Sequence, residues 1–306
     1  MKKNEIIIGT RASKLALFQS NLVLNRLKEY FPKTTFKLKE IKTKGDLLLN
    51  QNIESSIEKG FFVREIQKKL LDRKIDIAVH SMKDLPVDQI KGLKISAILK
   101  RDNHRDAFLS KDGKSIYEMP HLSTIATSSN RRKSLLLKLN PKIKVISIRG
   151  NIDTRISKMK KGYCNGLVLA AAGLERLSLN KEITNYFNSK EMLCAPAQGA
   201  IAVEIRDDNE LYPMTSSLNH KTTSICVNQE REFLKYLKGG CTAPIGAYAK
   251  IKDGLMIIKG IVSSMDGKES ITDQIKTSFK KSDNLGVQLA KSILSKGGEG
   301  ILSKIR

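Results

Sequence analysis

The sequence predicts an α/β protein built as two lobes with mostly parallel sheets, followed by a small α+β C-terminal domain. Three observations carry this. Strand-like and helix-like periods alternate through the first hundred residues, and the same alternation resumes from about residue 124. Beyond about residue 218 a long helix is followed by two strands and a further amphipathic helix. Strand and helix in alternation is the pattern of a parallel sheet covered by its own crossover helices.

The elements follow in order. Glu5 to Gly9 reads as a buried strand, and Ser13 can cap a helix on which Ala16, Val23, Leu27 and Tyr30 share a face before Pro32 ends it. A strand over Thr35 to Lys42 precedes a polar stretch to Gly60. A helix aligning Phe62, Ile66 and Leu70 leads to the strand Ile75 to His80. In the second half the expected elements are strands at Thr124 to Thr127, Lys144 to Ile148 and Leu167 to Ala171, with helices over Arg131 to Leu139 and Asp153 to Lys161. The strand Ala200 to Arg206 can return to the first sheet. A helix runs from about 218 to Leu237 and stops at Gly239-Gly240, since glycine takes the left-handed C-terminal conformation at little cost. Strands at Ile245 to Ile251 and Leu255 to Ser263, then a helix with Leu285, Leu289 and Ile293 on one face, complete the chain. The expected division is 1–99 with 197–217, 100–196, and 218–306.

Composition narrows the function classes. The 306 residues are 40% hydrophobic and 28% charged, an ordinary globular mixture with enough apolar material for a sizeable core. The longest uncharged apolar run, Gly166 to Leu174, is about half of what a membrane span requires, and Ile6-Ile7-Ile8 is too short for a secretory signal. A cytoplasmic protein is expected. The four cysteines, Cys164, Cys194, Cys226 and Cys241, show no CxxC pair and no histidine at ligand spacing, which argues against a zinc site or a disulfide framework. No metal is expected. The net charge of +24 attracts polyanions. With aromatics at 5% and no tryptophan, no base-stacking strand or base-reading helix is evident, so nucleic acid is not the expected partner. A small multi-carboxylate ligand fits better, the other account of the charge being a lysine-rich solvated surface.

Three constellations can carry chemistry. Gly9-Thr10-Arg11-Ala12-Ser13, Thr127-Ser128-Ser129-Asn130-Arg131-Arg132 and Arg149-Gly150-Asn151-Ile152-Asp153-Thr154-Arg155 each follow an expected strand and open a helix. Such loops line the ligand crevice of a parallel sheet, and the guanidinium fork binds carboxylates through two parallel hydrogen bonds. Arg176 can join them. The second is His80-Ser81-Met82-Lys83-Asp84-Leu85-Pro86, where Lys83 offers a cation and Asp84 a carboxylate for a cationic or N–H-bearing centre. Asp84 closing a turn ahead of Pro86 is the other reading. The third is Gly239-Gly240-Cys241-Thr242-Ala243-Pro244-Ile245-Gly246, whose cysteine is either a covalent attachment point or a small buried hydrophobe. The other cysteines read as buried hydrophobes.

Taken together the segments resemble the porphobilinogen deaminase (hydroxymethylbilane synthase) family almost end to end. The resemblance rests on Ile8 to Ser13, Thr43-Lys44-Gly45-Asp46, Lys59-Gly60-Phe61-Phe62, His80 to Pro86, Arg105-Asp106-Ala107, Ser128 to Arg132, Arg149-Gly150-Asn151, Gln198-Gly199-Ala200 and Gly239 to Tyr248. It implies two lobes like type II periplasmic binding proteins with the active site between them, and a third domain carrying the cysteine loop. It also implies a transferase of tetrapyrrole, and hence porphyrin and heme, biosynthesis, working as a cytoplasmic monomer. A dipyrromethane cofactor joined by thioether to Cys241 would be extended by four porphobilinogen units, each losing ammonia, before the tetrapyrrole is hydrolysed away. By the same resemblance Asp84 is the catalytic carboxylate. Lys83, Ser129, Arg131, Arg132 and Arg155 hold the cofactor, while Arg11, Ser13, Arg149, Arg155 and Arg176 steer substrate and growing chain. Lys59 and Phe62 belong to a lid. The sequence departs from the family pattern at Ile57-Glu58 before Lys59-Gly60, at His104 where proline is common, and at Cys194 and Ala197 in place of proline and glycine. A non-catalytic carboxylate-binding protein on the same scaffold would explain the arginines but neither Asp84 nor the cysteine loop.

Overall fold

The computed structural model describes residues 5–41, 61–208, 210–238 and 243–305, without the side chains of residues 61, 62 and 281. The chain divides into two compact units, Met1–Asp102 with Ala200–Ser224 and Asn103–Gly199 with Ile225–Arg306.

The first unit runs β1 (Glu5–Arg11), α1 (Lys14–Tyr30), β2 (Thr35–Ile41), α2 (Phe61–Leu71), β3 (Ile77–Ser81) and β4 (Leu93–Ile98). The chain returns to it as β10 (Ile201–Arg206), giving the order β2-β1-β3-β10-β4. Pairing of β1 with β2 and β3 is parallel, whereas β10 is antiparallel to both neighbours. The return of the 200–206 strand to the first sheet is thus realised, and it inserts between β3 and β4 rather than at an edge. Ile6, Ile8, Ile77, Val79, Val203 and Ile205 form the core against Val23, Leu24 and Leu27 of α1. The stripe expected on α1 is displaced at both ends. Tyr30 is exposed, while Gln19 is buried with its amide on the hydroxyl of β3's last residue, and Ser20 is buried with its own hydroxyl unpaired among the described residues.

The second unit contains β5 (Asp106–Ser110), β6 (Thr124–Ala126), α3 (Asn130–Leu139), β7 (Lys144–Ile146), α4 (Ile152–Lys160), β8 (Gly166–Ala170), α5 (Ala171–Arg176) and β9 (Asn185–Tyr186). Its sheet order, β7-β6-β8-β5-β9, repeats the first sheet's plan, with three parallel strands and one reversed strand next to the outermost one. Parallel pairing therefore accounts for half of each sheet, and the reversed strands β5 and β10 each begin where the chain passes from one unit to the other.

A short helix α6 (Tyr212–Ser216) and the longer α7 (Lys221–Tyr236) lead to the antiparallel sheet β11 (Ile245–Lys252), β12 (Leu255–Ser263) and β13 (Ser270–Ser278). Helices α8 (Leu285–Ile293) and α9 (Glu299–Ser303) follow. One face of this sheet packs on Leu285, Leu289 and Ile293 with Phe233 of α7. Its other face shares the core of the second unit. Ile261 joins Phe108, Leu135 and Phe187, and the Ser134 hydroxyl donates to that of Ser263 at 2.7 Å.

Helices α7 and α8 approach so closely that a Cβ on Gly286 would collide with the Gln229 carbonyl and lie 2.9 Å from the Phe233 nitrogen, both backbone atoms. Backbone cannot step aside as a side-chain tip can. Gly286→Ala is therefore expected to lower stability by about 1–3 kcal/mol, measured by urea denaturation followed by circular dichroism.

Candidate active site

Each unit places its expected site segments at the carboxyl edge of its parallel strands. In the first, β1 and β3 are parallel neighbours, so Arg11 at the end of β1 and the turn after β3 lie at the same carboxyl edge. Ser13 caps α1 by accepting from the Ala16 N–H at 3.4 Å. Residues Met82–Asp84 form one 3₁₀ turn, closed by Leu85 N–H donating to the Met82 carbonyl. Buried Met82 and Leu85 pin the turn, the Met82 N–H donates to the Ala200 carbonyl at 3.0 Å, and Gln19 Nε2 donates to the Ser81 hydroxyl at 2.9 Å. On this fixed base Lys83 is half-buried and Asp84 is exposed, its carboxylate without a partner among the described residues. A carboxylate closing its own turn would accept a local N–H, and Asp84 accepts none. His80, by contrast, is buried against Glu204 at 3.0 Å, and Gln67 donates to the same carboxylate.

In the second unit β6, β7 and β8 are parallel, and their carboxyl ends carry the Ser129, Arg149 and Arg176 segments. Ser129 caps α3 through the Arg132 N–H. The guanidinium groups of Arg131 and Arg132 turn inward. Arg131 Nη1 donates to Asp106 Oδ2 at 2.7 Å and to the Leu193 carbonyl at 2.8 Å. Arg132 donates from Nε to Asp106 Oδ1 at 2.9 Å, from Nη1 to the Val168 carbonyl and from Nη2 to Gln198 Oε1 at 3.4 Å, its Nη2 also standing 2.7 Å from Asp106 Oδ1 as an ion pair. Gln198 completes the cluster, its Nε2 donating to Asp106 Oδ1 at 3.0 Å and to the His104 carbonyl at 2.8 Å. Asp106 and Gln198 are fully buried and the two arginines nearly so. Burial would raise the Asp106 pKa, but the two guanidinium groups outweigh it and hold the carboxyl well below the usual range.

The other arginines are arranged differently. Arg149 is exposed and its guanidinium has no partner among the described residues. Arg155 Nε donates to the Gly150 carbonyl at 2.7 Å, and Arg176 Nη2 to that of Gly199 at 2.7 Å. Gly150 has φ of +118°, and a Cβ there would stand 2.9 Å from Thr154 Cβ, so this turn requires glycine.

Lys59, Thr43 to Asp46 and the loop Gly239 to Thr242 with Cys241 lie outside the described residues, as does the Phe62 side chain. Cys164, Cys194 and Cys226 are buried, and burial pushes the Cys164 thiol up to about 11. Among the described residues no cluster of His, Cys, Asp and Glu could hold a metal, and no helix is long and apolar enough to cross a membrane. Role-based reading of the sequence missed Asp106 and Gln198, although both sit in motifs that carry the family resemblance.

Residues 6–213 match the family model "Porphobilinogen deaminase, dipyromethane cofactor binding domain", and residues 224–295 match "Porphobilinogen deaminase, C-terminal domain". The chain belongs to the porphobilinogen deaminase family. It is 43% identical to the porphobilinogen deaminase of Thermus thermophilus over 303 residues, covering 98% of this chain and 99% of the relative. With that of Alkaliphilus metalliredigens it shares 41% identity over 301 residues, 98% and 95% of the two chains. Among solved structures, a TRAP periplasmic solute binding protein from Pseudomonas putida F1 superposes with a TM-score of 0.41 at 8% identity, over 76% of this chain and 80% of that one.

The Asp106 cluster yields a pH-dependent prediction. A carboxyl whose folded pKa lies below its unfolded value contributes stability that is complete above the unfolded pKa and is lost as pH falls through the folded one. Removing one member of a buried ion cluster costs about 3–5 kcal/mol. Asp106→Asn should therefore be less stable by about that amount at pH 7, with the gap to the native protein narrowing below about pH 4. Guanidinium denaturation between pH 7 and pH 3 reads both.

Proposed function

We propose that this protein is a hydroxymethylbilane synthase, condensing four porphobilinogen molecules head to tail with loss of ammonia onto a dipyrromethane held on Cys241, and releasing the linear tetrapyrrole by hydrolysis. Family membership over nearly the whole chain supports the reading. The observation that carries it to a residue is the exposed Asp84 carboxylate, without a partner among the described residues, on a turn fixed from both sides.

The donor set suits a polypyrrole bearing acetates and propionates, whose carboxylates need fixed cations and whose ring nitrogens need an acceptor. When bound, dipyrromethane supplies a nucleophilic pyrrole carbon on a primer that the enzyme retains. Lys83, Ser129, Arg131, Arg132 and Arg155 hold its carboxylates in this reading. Arg132 donates from all three of its nitrogens to protein acceptors, so it acts as fixed charge more than as an open fork. Arg11, Ser13, Arg149, Arg155 and Arg176 orient the incoming porphobilinogen and the growing chain, Arg149 with its whole fork available. As the aminomethyl nitrogen departs as ammonia, positive charge develops on the pyrrole nitrogen of the substrate. Asp84 accepts that N–H and stabilises the charge, a preorganised electrostatic effect worth about 3 kcal/mol or more. Lys59 and Phe62 complete the reading as lid residues. It includes a cytoplasmic monomer that needs neither nucleic acid nor membrane.

Asp84→Asn keeps the shape and removes the charge, so turnover should fall at least about a hundredfold while the thermal transition is retained. Normal turnover in that variant would defeat the assignment. The intact mass of the native protein should exceed the chain mass by two linked pyrroles, and an unmodified chain in protein that binds carboxylates would favour a binding protein instead. Arg149→Lys retains charge but loses the fork, and should accumulate partly elongated species in mass spectra after limited substrate.

A further inference from the structure

We infer that Arg105 is a further carboxylate-binding residue, a guanidinium oriented by a dedicated set of neighbours to receive an acetate or propionate of the substrate or growing chain. The inference rests on the function proposed above.

Arg105 precedes β5, and its neighbour Asp106 pairs with Ala170 at the end of β8, so Arg105 stands at the same sheet edge as the Ser129, Arg149 and Arg176 segments. Its backbone is held by the Ala171 N–H, which donates to its carbonyl at 3.0 Å, and by Gln198 Nε2 at 3.2 Å. Asn103 Oδ1 accepts from both its backbone N–H and its Nε, each at 3.1 Å. The guanidinium lies over the ring of Tyr186, 4.2 Å from the centroid. Asn103 and Tyr186 are fixed in turn by one carboxylate. Glu175 Oε1 accepts from Asn103 Nδ2 at 2.6 Å, and Glu175 also bonds the Tyr186 hydroxyl, whose pKa rises through burial and this contact.

The consequence is a chain of positioning residues, Glu175 to Asn103 and Tyr186, converging on one guanidinium plane. The terminal Nη1 and Nη2 groups of Arg105 have no partner among the described residues, and Arg105 makes no ion pair there. Glu175 is near enough to organise the site yet is already engaged by Asn103 and Tyr186. A side chain locked at Nε and on its ring face, with the outer fork open, is preorganised for bidentate capture of a carboxylate. Glu175 is followed directly by Arg176, so the same short helix α5 supplies a positioning group to one arginine and carries another.

The test compares native protein with Arg105→Gln, Arg105→Lys and Asn103→Ala, each prepared with its adduct. The KM for porphobilinogen in Arg105→Gln should rise about tenfold and by more than kcat falls, the loss expected for one charge-assisted contact. Arg105→Lys should recover less than half of that loss, and Asn103→Ala, which keeps the guanidinium and frees it, should lie between native and Arg105→Gln. A purely structural role would move the thermal midpoint and leave this order of KM values absent. An Arg105→Gln protein that carries the adduct and shows native KM and native distribution of elongation species would overturn the inference alone. A native chain without adduct and without turnover would remove both the inference and the function it rests on.

Discussion

The Asp106 carboxylate is the point on which the second unit's functional edge is hung. It stands at the start of β5, and the two arginines that close on it open α3. The same arginines reach the carbonyls of Val168 in β8 and Leu193 near the end of the second unit's α/β segment. Four stretches distant in sequence are thus joined through one buried anion and two buried cations. Neither cation could be buried alone, since an unpaired charge in a low-dielectric interior costs several kcal/mol even after relaxation. Together they retain one net positive charge, so pairing removes the desolvation problem without erasing the field.

That arithmetic separates the arginines into two kinds. Arg131 and Arg132 are inside: Arg132 donates from all three nitrogens to protein acceptors, whereas Arg131 donates from Nη1 alone and keeps a buried Nε without a partner among the described residues. Arg149 and Arg105 keep their outer guanidinium nitrogens without a partner among the described residues, the first simply exposed and the second held by Asn103 and Tyr186. Asp84 is the counterpart of opposite sign on the first unit, a carboxylate without a partner among the described residues on a turn whose apolar neighbours are buried. Asp84 and Arg105 share rigid support beneath a polar tip that has no partner among the described residues. It is how a site keeps its groups aimed before any ligand arrives, avoiding reorganisation when charge develops.

The parallel core of both sheets was legible because its strands are apolar runs bounded by turn signals and separated by amphipathic helices. Strands β5 and β13 were not. β5 is three apolar residues behind a charged one, and β13 alternates Ile271 and Ile275 with polar residues that give a weak signal until paired with Val262 and Ile258. The arginine loops could be located from their place after strands, but not which guanidinium groups face inward. That depends on Asp106, a carboxylate some 25 residues upstream whose partners are set by the reversed strand. Gln19 illustrates the same limit, because a polar residue on a helix's buried face is explicable only once Ser81 lies beside it.

The departures from the family pattern show how a local rule can be broken when its surroundings hold the backbone. Ala197 stands where the pattern has glycine, and it retains the left-handed conformation with φ of +64°, which costs a residue with a Cβ about 1–2 kcal/mol. Its N–H donates at 2.6 Å to Glu230 Oε2, and the other oxygen of that buried carboxylate accepts the Ala249 N–H at 2.7 Å. Cys194, where proline is usual, places its thiol 3.4 Å from the Ala247 carbonyl, and the Cys194 carbonyl receives the Ala247 N–H. His104, at another position where proline is common, stacks on Tyr248 with ring centroids 3.7 Å apart. All three substitutions meet β11, or through Glu230 of α7 the strand's own backbone. What proline and glycine would fix through restricted or permissive dihedrals is fixed here by contacts with one strand. The segment that leads into Gln198 is thereby held in place, and with it the amide that completes the Asp106 cluster.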